Sequence, residues 1–175
     1  MRILFALLAT ILLTNCTGNK MKPIDFKDQK PRLIIEDYFS GNVKAWGLLQ
    51  DRSGKVTRQF SAELNGRWNG KQLILDEKFN WNDGEVQERQ WQITKLDEHN
   101  YEGTAGDVVG TAKGYSYGPA FKFEYVLLAP IKGKEVKITF DDWIFKQDEK
   151  VAINRATMTK FGIKVAELTV MFVKN

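Results

Sequence analysis

The sequence predicts an all-β fold, an antiparallel up-and-down barrel of about ten strands, and three observations predict it. From Leu33 onward, apolar residues alternate with polar ones at a period of two, the repeat of a strand with one buried face. Turn chemistry interrupts that alternation at short intervals, at Ser53-Gly54, Asn69-Gly70, Asp83-Gly84, Gly118-Pro119 and Lys132-Gly133. Asn-Gly and Asp-Gly supply the positive φ of tight hairpins. No segment carries the i, i+3, i+4, i+7 stripe of a long amphipathic helix.

The elements follow in order. Residues 1–15 read as a lipoprotein signal peptide: Arg2 and the amino terminus give a positive start, and Ile3 to Leu13 form an uncharged apolar run. That run suits a signal-peptide core and falls short of the ~20 residues of a membrane span. Leu13-Thr14-Asn15-Cys16 then resembles a lipobox, with an aliphatic residue three before the single cysteine, although Asn15 stands where a small residue is usual. Thr17, in place of the aspartate that retains many lipoproteins at the inner membrane, points to the outer membrane and a periplasm-facing domain. Multiple acyl chains on Cys16 would make the membrane a stable partner. Residues 16–32, with Pro23, Pro31 and no periodic apolar face, read as a lipid-anchored cysteine followed by a flexible tether.

Residues 33–175 read as the barrel domain, with strands at 42–50, 56–66, 71–81, 85–96, 100–106, 108–116, 120–131, 135–146, 150–159 and 163–173. Closing such a meander hides every apolar face and removes the edges, and a two-layer sandwich is the alternative. Gly103, Gly106, Gly110, Gly114 and Gly118 mark a barrel corner where backbone bends sharply or is closely approached.

Composition excludes several functions. The 26 basic and 22 acidic residues are spread along the chain with no basic stripe or nucleic-acid motif, so no nucleic-acid partner is expected. One cysteine allows no intrachain disulfide and no cysteine-based zinc site, and one histidine, His99, leaves no histidine-rich metal site. Ser-His-Asp or Cys-His catalysis inside the barrel is not expected, nor is any cofactor. Gly103-Thr104-Ala105-Gly106 lacks the lysine and helix of a phosphate loop.

The informative residues are charges in phase with apolar neighbours. Arg58 alternates with Phe60, Ala62 and Leu64; Glu77 with Leu75 and Phe79; Arg89 with Trp91 and Ile93; Asp142 with Ile138 and Phe140; Arg155 with Val151 and Ile153. Residues i and i+2 share a face, so three arginines and two acids are expected to point inward. A bulge at Asp141-Asp142 would exchange which acid does so. Two readings follow: a satisfied salt-bridge network, or surplus positive charge that grips an anionic head group. On the second, Trp91, Phe121, Phe123 and Tyr125 line the wall for an apolar tail. Asp76-Glu77 and Asp141-Asp142 do not each converge on one substrate, because adjacent strand residues face opposite ways.

Asp51-Arg52-Ser53-Gly54-Lys55, Trp91, Tyr101-Glu102-Gly103-Thr104-Ala105, Gly106-Asp107-Val108-Val109-Gly110, Asp141-Asp142-Trp143 and the run from Asn154 to Gly162 resemble uncharacterised Gram-negative lipoproteins grouped as domain of unknown function 3833. The resemblance runs from about Phe39 to the C-terminus. It implies a lipocalin-like, or calycin-like, barrel and a lipoprotein anchor, and it brings no activity or catalytic residues.

The sequence therefore points to a binding module that holds a fatty-acid or phospholipid-like ligand. The alternatives are an enzyme using Asp142 or Glu77 as base, and a structural envelope protein whose barrel is filled by its own side chains. For the anchor, labelled fatty acid is expected to enter the wild-type chain and not Cys16→Ser; equal labelling of the two removes it.

Overall fold

Alternating apolar residues punctuated by turns fold into ten strands: β1 (Gly41–Asp51), β2 (Val56–Trp68), β3 (Gln72–Trp81), β4 (Val86–Lys95), β5 (Asn100–Thr104), β6 (Ala112–Tyr117), β7 (Ala120–Ile131), β8 (Lys134–Lys146), β9 (Val151–Lys160) and β10 (Ile163–Lys174). They come from a computed structural model that describes residues 20–131 and 133–175. The proposed signal peptide and Cys16 lie outside the described residues. Each strand pairs antiparallel with its sequence neighbours, and β1 pairs with β10, so the sheet closes into a barrel. The closing seam runs unbroken from Val43 opposite Lys174 to Asp51 opposite Ala166. Register shifts occur between Leu49 and Gln50 and between Lys164 and Ala166. The β7–β8 register is continuous through Asp141 and Asp142, so no bulge exchanges those two acids.

One predicted strand is shorter than expected. Residues 105–111 form a loop instead of extending the strand predicted at 108–116. The loop lies along β7, where Val109 N–H donates to Val126 O at 2.8 Å and Leu128 N–H donates to Asp107 O at 2.8 Å. Its pairing to β7 takes the place of pairing to β5. Three of the five corner glycines are close-approach positions: a Cβ on Gly103 would lie 2.5 Å from the Phe123 ring, one on Gly114 2.8 Å from the Phe121 ring and one on Gly118 2.0 Å from the Phe26 carbonyl oxygen, whereas Gly106 and Gly110 face open space.

The two ends of the barrel differ. At one end the one-turn helix α1 (Ile35–Tyr38) sits inside as a plug, with Leu33, Ile35, Tyr38 and Phe39 all buried. The Tyr38 hydroxyl donates to Lys150 O at 2.8 Å and Phe172 O at 3.2 Å. The buried carboxylate of Glu36 accepts from the Tyr101 hydroxyl at 3.0 Å and pairs with Lys95. The β2–β3, β4–β5, β6–β7 and β8–β9 turns surround this closed end. The β1–β2, β3–β4, β7–β8 and β9–β10 hairpins and the 105–111 loop surround the other, open end.

The stretch expected to be a flexible tether lies along the barrel wall from residue 20 on, mostly exposed but held at a few points. Pro23–Phe26 form a 3-10 turn, Phe26 sits edge-on to Phe145 at 5.3 Å, and Leu33 N–H donates to Gly118 O at 2.8 Å. Apolar contact by Phe26, which no periodic pattern announces, holds this segment on the wall.

Gly66 tests the plug. A Cβ there would lie 1.9 Å from the carbonyl oxygen of Phe39, a backbone atom that cannot rotate away. Gly66→Ala is expected to destabilise the barrel by about 2 kcal/mol or more, read as a lowered denaturant midpoint, with an unchanged midpoint counting against the plug.

Candidate functional site

The α1 plug fills only part of the interior. Above it a cavity of about 350 Å3 runs to the open end, bounded by inward residues of every long strand. Ten strands enclose more width than side chains from opposite walls can fill, which is why room remains. Its wall is aromatic. Trp91 lies 5.0 Å from Phe123 and 5.2 Å from Tyr125, Tyr125 stacks on Phe140 at 4.9 Å, and Phe60 lies 4.9 Å from Trp81.

Midway along the cavity is a polar cluster. Glu77 on β3 and Arg89 on β4 are cross-strand partners on the inner face, with side chains 12% and 14% exposed. They meet loosely, at 3.9 Å. The Arg89 guanidinium is instead taken by Asp107 from the 105–111 loop, with Nε donating at 2.9 Å and Nη2 at 2.7 Å to Oδ2. Across the cavity, Asp142 on β8 accepts from the Tyr125 hydroxyl at 3.0 Å and from the Asn154 amide of β9. Nearer the mouth, Arg58 lies 4.0 Å over the Trp81 ring and pairs with Asp83 and Glu85, each at 2.7 Å. The Trp81 indole N–H lines the same cavity, buried and without a hydrogen-bond partner among the described residues.

These contacts reverse the expected sign of the interior. Arg155 points outward: its side chain is 69% exposed and reaches Glu167 at 3.4 Å, while Ala152, Asn154 and Ala156 form the inner face of β9. The cause is an apolar outer row, Trp46, Met171 and Ile153 on neighbouring strands, which makes the outside of β9 read like an inside. Arg58 and Arg89 are both satisfied by acids. No surplus positive charge is left to grip an anion; among the described residues the cluster sets one arginine against Glu77, Asp107 and Asp142.

A low-dielectric site answers such a surplus by holding protons. Burial pushes Glu77 from 4.5 to about 7; Arg89 opposes the rise, and Asp142 and Asp107 add to it. Burial likewise raises Asp142 against the pull of its hydrogen bonds from Asn154 and Tyr125. Burial and the neighbouring Asp142 lift Tyr125 well above its usual range, so it stays a donor. Burial works against the charge of Arg89, but Glu77 and Asp107 outweigh it and raise its pKa.

Of the residues singled out in the sequence, Arg58, Glu77, Arg89, Trp91, Phe121, Phe123, Tyr125 and Asp142 surround this one cavity, and Arg155 does not. Sequence reasoning missed Asp107 and Asn154. Asp107 lies in a loop with no phase to read. Asn154 was recoverable from the small residues Ala152 and Ala156 on either side, which fit a crowded inner face better than Val151 and Ile153 do.

A scan against family models matches residues 10–174 to the family described as protein of unknown function (DUF3833). A search of the curated proteins finds no match. Among solved structures, the barrel is similar to an S-type phycobiliprotein lyase from Guillardia theta, with 9% identity and a TM-score of 0.58, over 82% of this chain and 94% of that one. It is also similar to a protein of unknown function from the DUF3598 family of Nostoc punctiforme, with 11% identity and a TM-score of 0.62, over 84% of this chain and 51% of that one. At such identities the likeness concerns the fold, a lipocalin-like barrel.

Glu77 makes stability depend on pH. Its pKa is higher folded than unfolded, so between pH 4.5 and about 7 the folded chain keeps a proton that the unfolded chain loses, and stability falls as pH rises through that window. Below the window the term is absent. Glu77→Gln is expected to flatten a fall of ~3 kcal/mol, measured as the difference between wild-type and variant unfolding free energies at pH 4.5 and pH 8. A difference independent of pH counts against a proton held on Glu77.

Proposed function

The chain belongs to the DUF3833 family, and we propose that it is a membrane-anchored binding protein whose barrel holds one apolar, lipid-like molecule. The observation that carries this reading is the cavity: about 350 Å3, plugged at one end by α1, open at the other, and walled by aromatic and aliphatic side chains around a few convergent polar groups. Pockets of roughly 300–1,000 Å3 with that make-up are the usual form of small-molecule sites. The polar cluster supports a neutral or cationic head group over a carboxylate. A carboxylate would meet Glu77 and Asp142, whereas a hydroxyl or amide could donate to either acid and accept from the Trp81 N–H, and an ammonium could donate to the same acids. The anchor is proposed on Cys16, with the domain on the periplasmic side of the outer membrane. The family match begins at residue 10 and so takes in Cys16.

A second reading has one observation in its favour. Glu77, buried in a cavity and poised near neutral pH, has the properties of a general acid–base. It would serve an enzyme acting on the same lipid-like class.

Mass spectrometry of organic extracts from the purified protein is expected to recover an apolar species with wild type. Ala129→Trp, which fills the mouth from an inward position on β7, is expected to lose it while its melting temperature stays close to that of wild type. A bare wild-type barrel that also fails to take up a fluorescent acyl-chain probe sinks the binding reading. Chemical conversion of the probe, lost in Glu77→Gln, favours the enzyme.

A further inference from the structure

The open end carries apolar side chains that neither the core nor the turns require. Phe161, at the tip of the β9–β10 hairpin, is 92% exposed, and Ile163 beside it is 65% exposed. Phe161 also adopts φ +52°, a left-handed conformation that suits glycine or asparagine and is costly for a bulky aromatic. Exposed Val56, Val86 and Ile131, at the strand ends beside three other connections, and Val109, on the 105–111 loop, surround the same mouth.

Cations stand between them. Arg52, Lys55, Lys134 and Lys160 have no carboxylate within salt-bridge distance among the described residues, and Lys164 shares Glu167 with Arg155. The nearby acids are mostly engaged: Asp83 and Glu85 by Arg58, Asp107 by Arg89, and Asp51 by donors in its own turn, leaving Glu135. The closed-end turns lack such an apolar fringe: Leu96 is their single exposed large apolar residue, and their charges are mixed, with Asp97, Glu98, Asp148 and Glu149 beside Lys71 and Lys150.

The N-terminal segment runs toward the same mouth. From Leu33 at Gly118, on the closed end, it climbs the wall past Phe145 and Trp143 to Lys20, which lies 3.9 Å from Asp141. β8 runs from the open end to the closed end, so this path leads toward the open end. Cys16 lies four residues beyond Lys20.

We propose that the open rim docks on the surface of a bilayer carrying anionic lipid, with Phe161 and Ile163 inserted among the acyl chains and the rim cations among the headgroups. Apolar tips ringed by Lys and Arg are the composition that binds such interfaces. The direction of the N-terminal segment adds to this in so far as Cys16 is lipidated; the rim argument stands without it. Docking would face the cavity mouth toward the lipid.

The test uses the full chain with Cys16→Ser, so that Phe161→Cys or Leu96→Cys gives a single thiol for an environment-sensitive fluorophore. Each labelled protein is mixed with phosphatidylcholine vesicles, with or without phosphatidylglycerol, that carry a quencher on the acyl chains. The label at position 161 is expected to be quenched on anionic vesicles and progressively released by added salt, while the label at position 96 stays bright. No quenching at 161, equal quenching at both ends, or quenching that ignores phosphatidylglycerol overturns the proposal. None of these readings depends on whether the cavity holds a ligand.

Discussion

The antiparallel seam between β1 and β10 is the constraint on which the rest depends. Without it the chain would be an open, twisted sheet with one apolar face and two unpaired edges. With nine consecutive residues of β1 registered against β10, the inner face becomes an interior. Ten strands then set its width. The chain fills one end by tucking Ile35, Tyr38 and Phe39 into the lumen and leaves the other hollow. The plug is fastened by hydrogen bonds as well as by packing, so the closed end holds its shape around a half-empty barrel.

Closure also explains the electrostatics. Once inside, Glu77, Arg89 and Asp142 lose most of their water, and each must find a partner or lose its charge. Arg89 finds Asp107, brought in by the loop that lies on β7. Asp142 finds Tyr125 and Asn154. Glu77 is left with a distant arginine and responds by holding its proton into the neutral range. Such a cluster is not an efficient way to stabilise a barrel, since apolar residues of similar volume often do as well or better. What distinguishes this one is its position, facing an apolar cavity.

How much of this could be read from the sequence depends on whether alternation coincided with inside and outside. On β2, β3, β4, β7 and β8 it did: Phe60, Leu75, Trp91, Phe123 and Phe140 face in, and polar residues alternate with them. On β9 the two were opposed. Ile153 belongs to an outer apolar row with Trp46 and Met171, and the inner face is Ala152, Asn154 and Ala156, so the larger residues are outside. Arg155 followed Ile153 outward. Alternation reports that two faces differ; it does not report which one the barrel encloses. Asp107 and α1 were hidden for another reason. A loop aspartate and a one-turn helix have no period, and only the tertiary fold brings them to Arg89 and to the lumen.

The apolar residues that escape burial therefore deserve the same physical question as the charges that do not. Water contact costs an apolar chain about 0.8 kcal/mol per CH2 group. A lipid-like molecule leaving the cavity into water would bear that cost along its whole length. If the rim of Phe161, Ile163 and their neighbours rests in a bilayer, the aromatic wall of the lumen continues into hydrocarbon and the molecule need not cross water. The excess of carboxyl groups fits the same arrangement. Held inside, away from the anionic surface that the rim cations would meet, Glu77 and Asp142 would be free to bind a hydrogen-bonding head group without repelling the membrane.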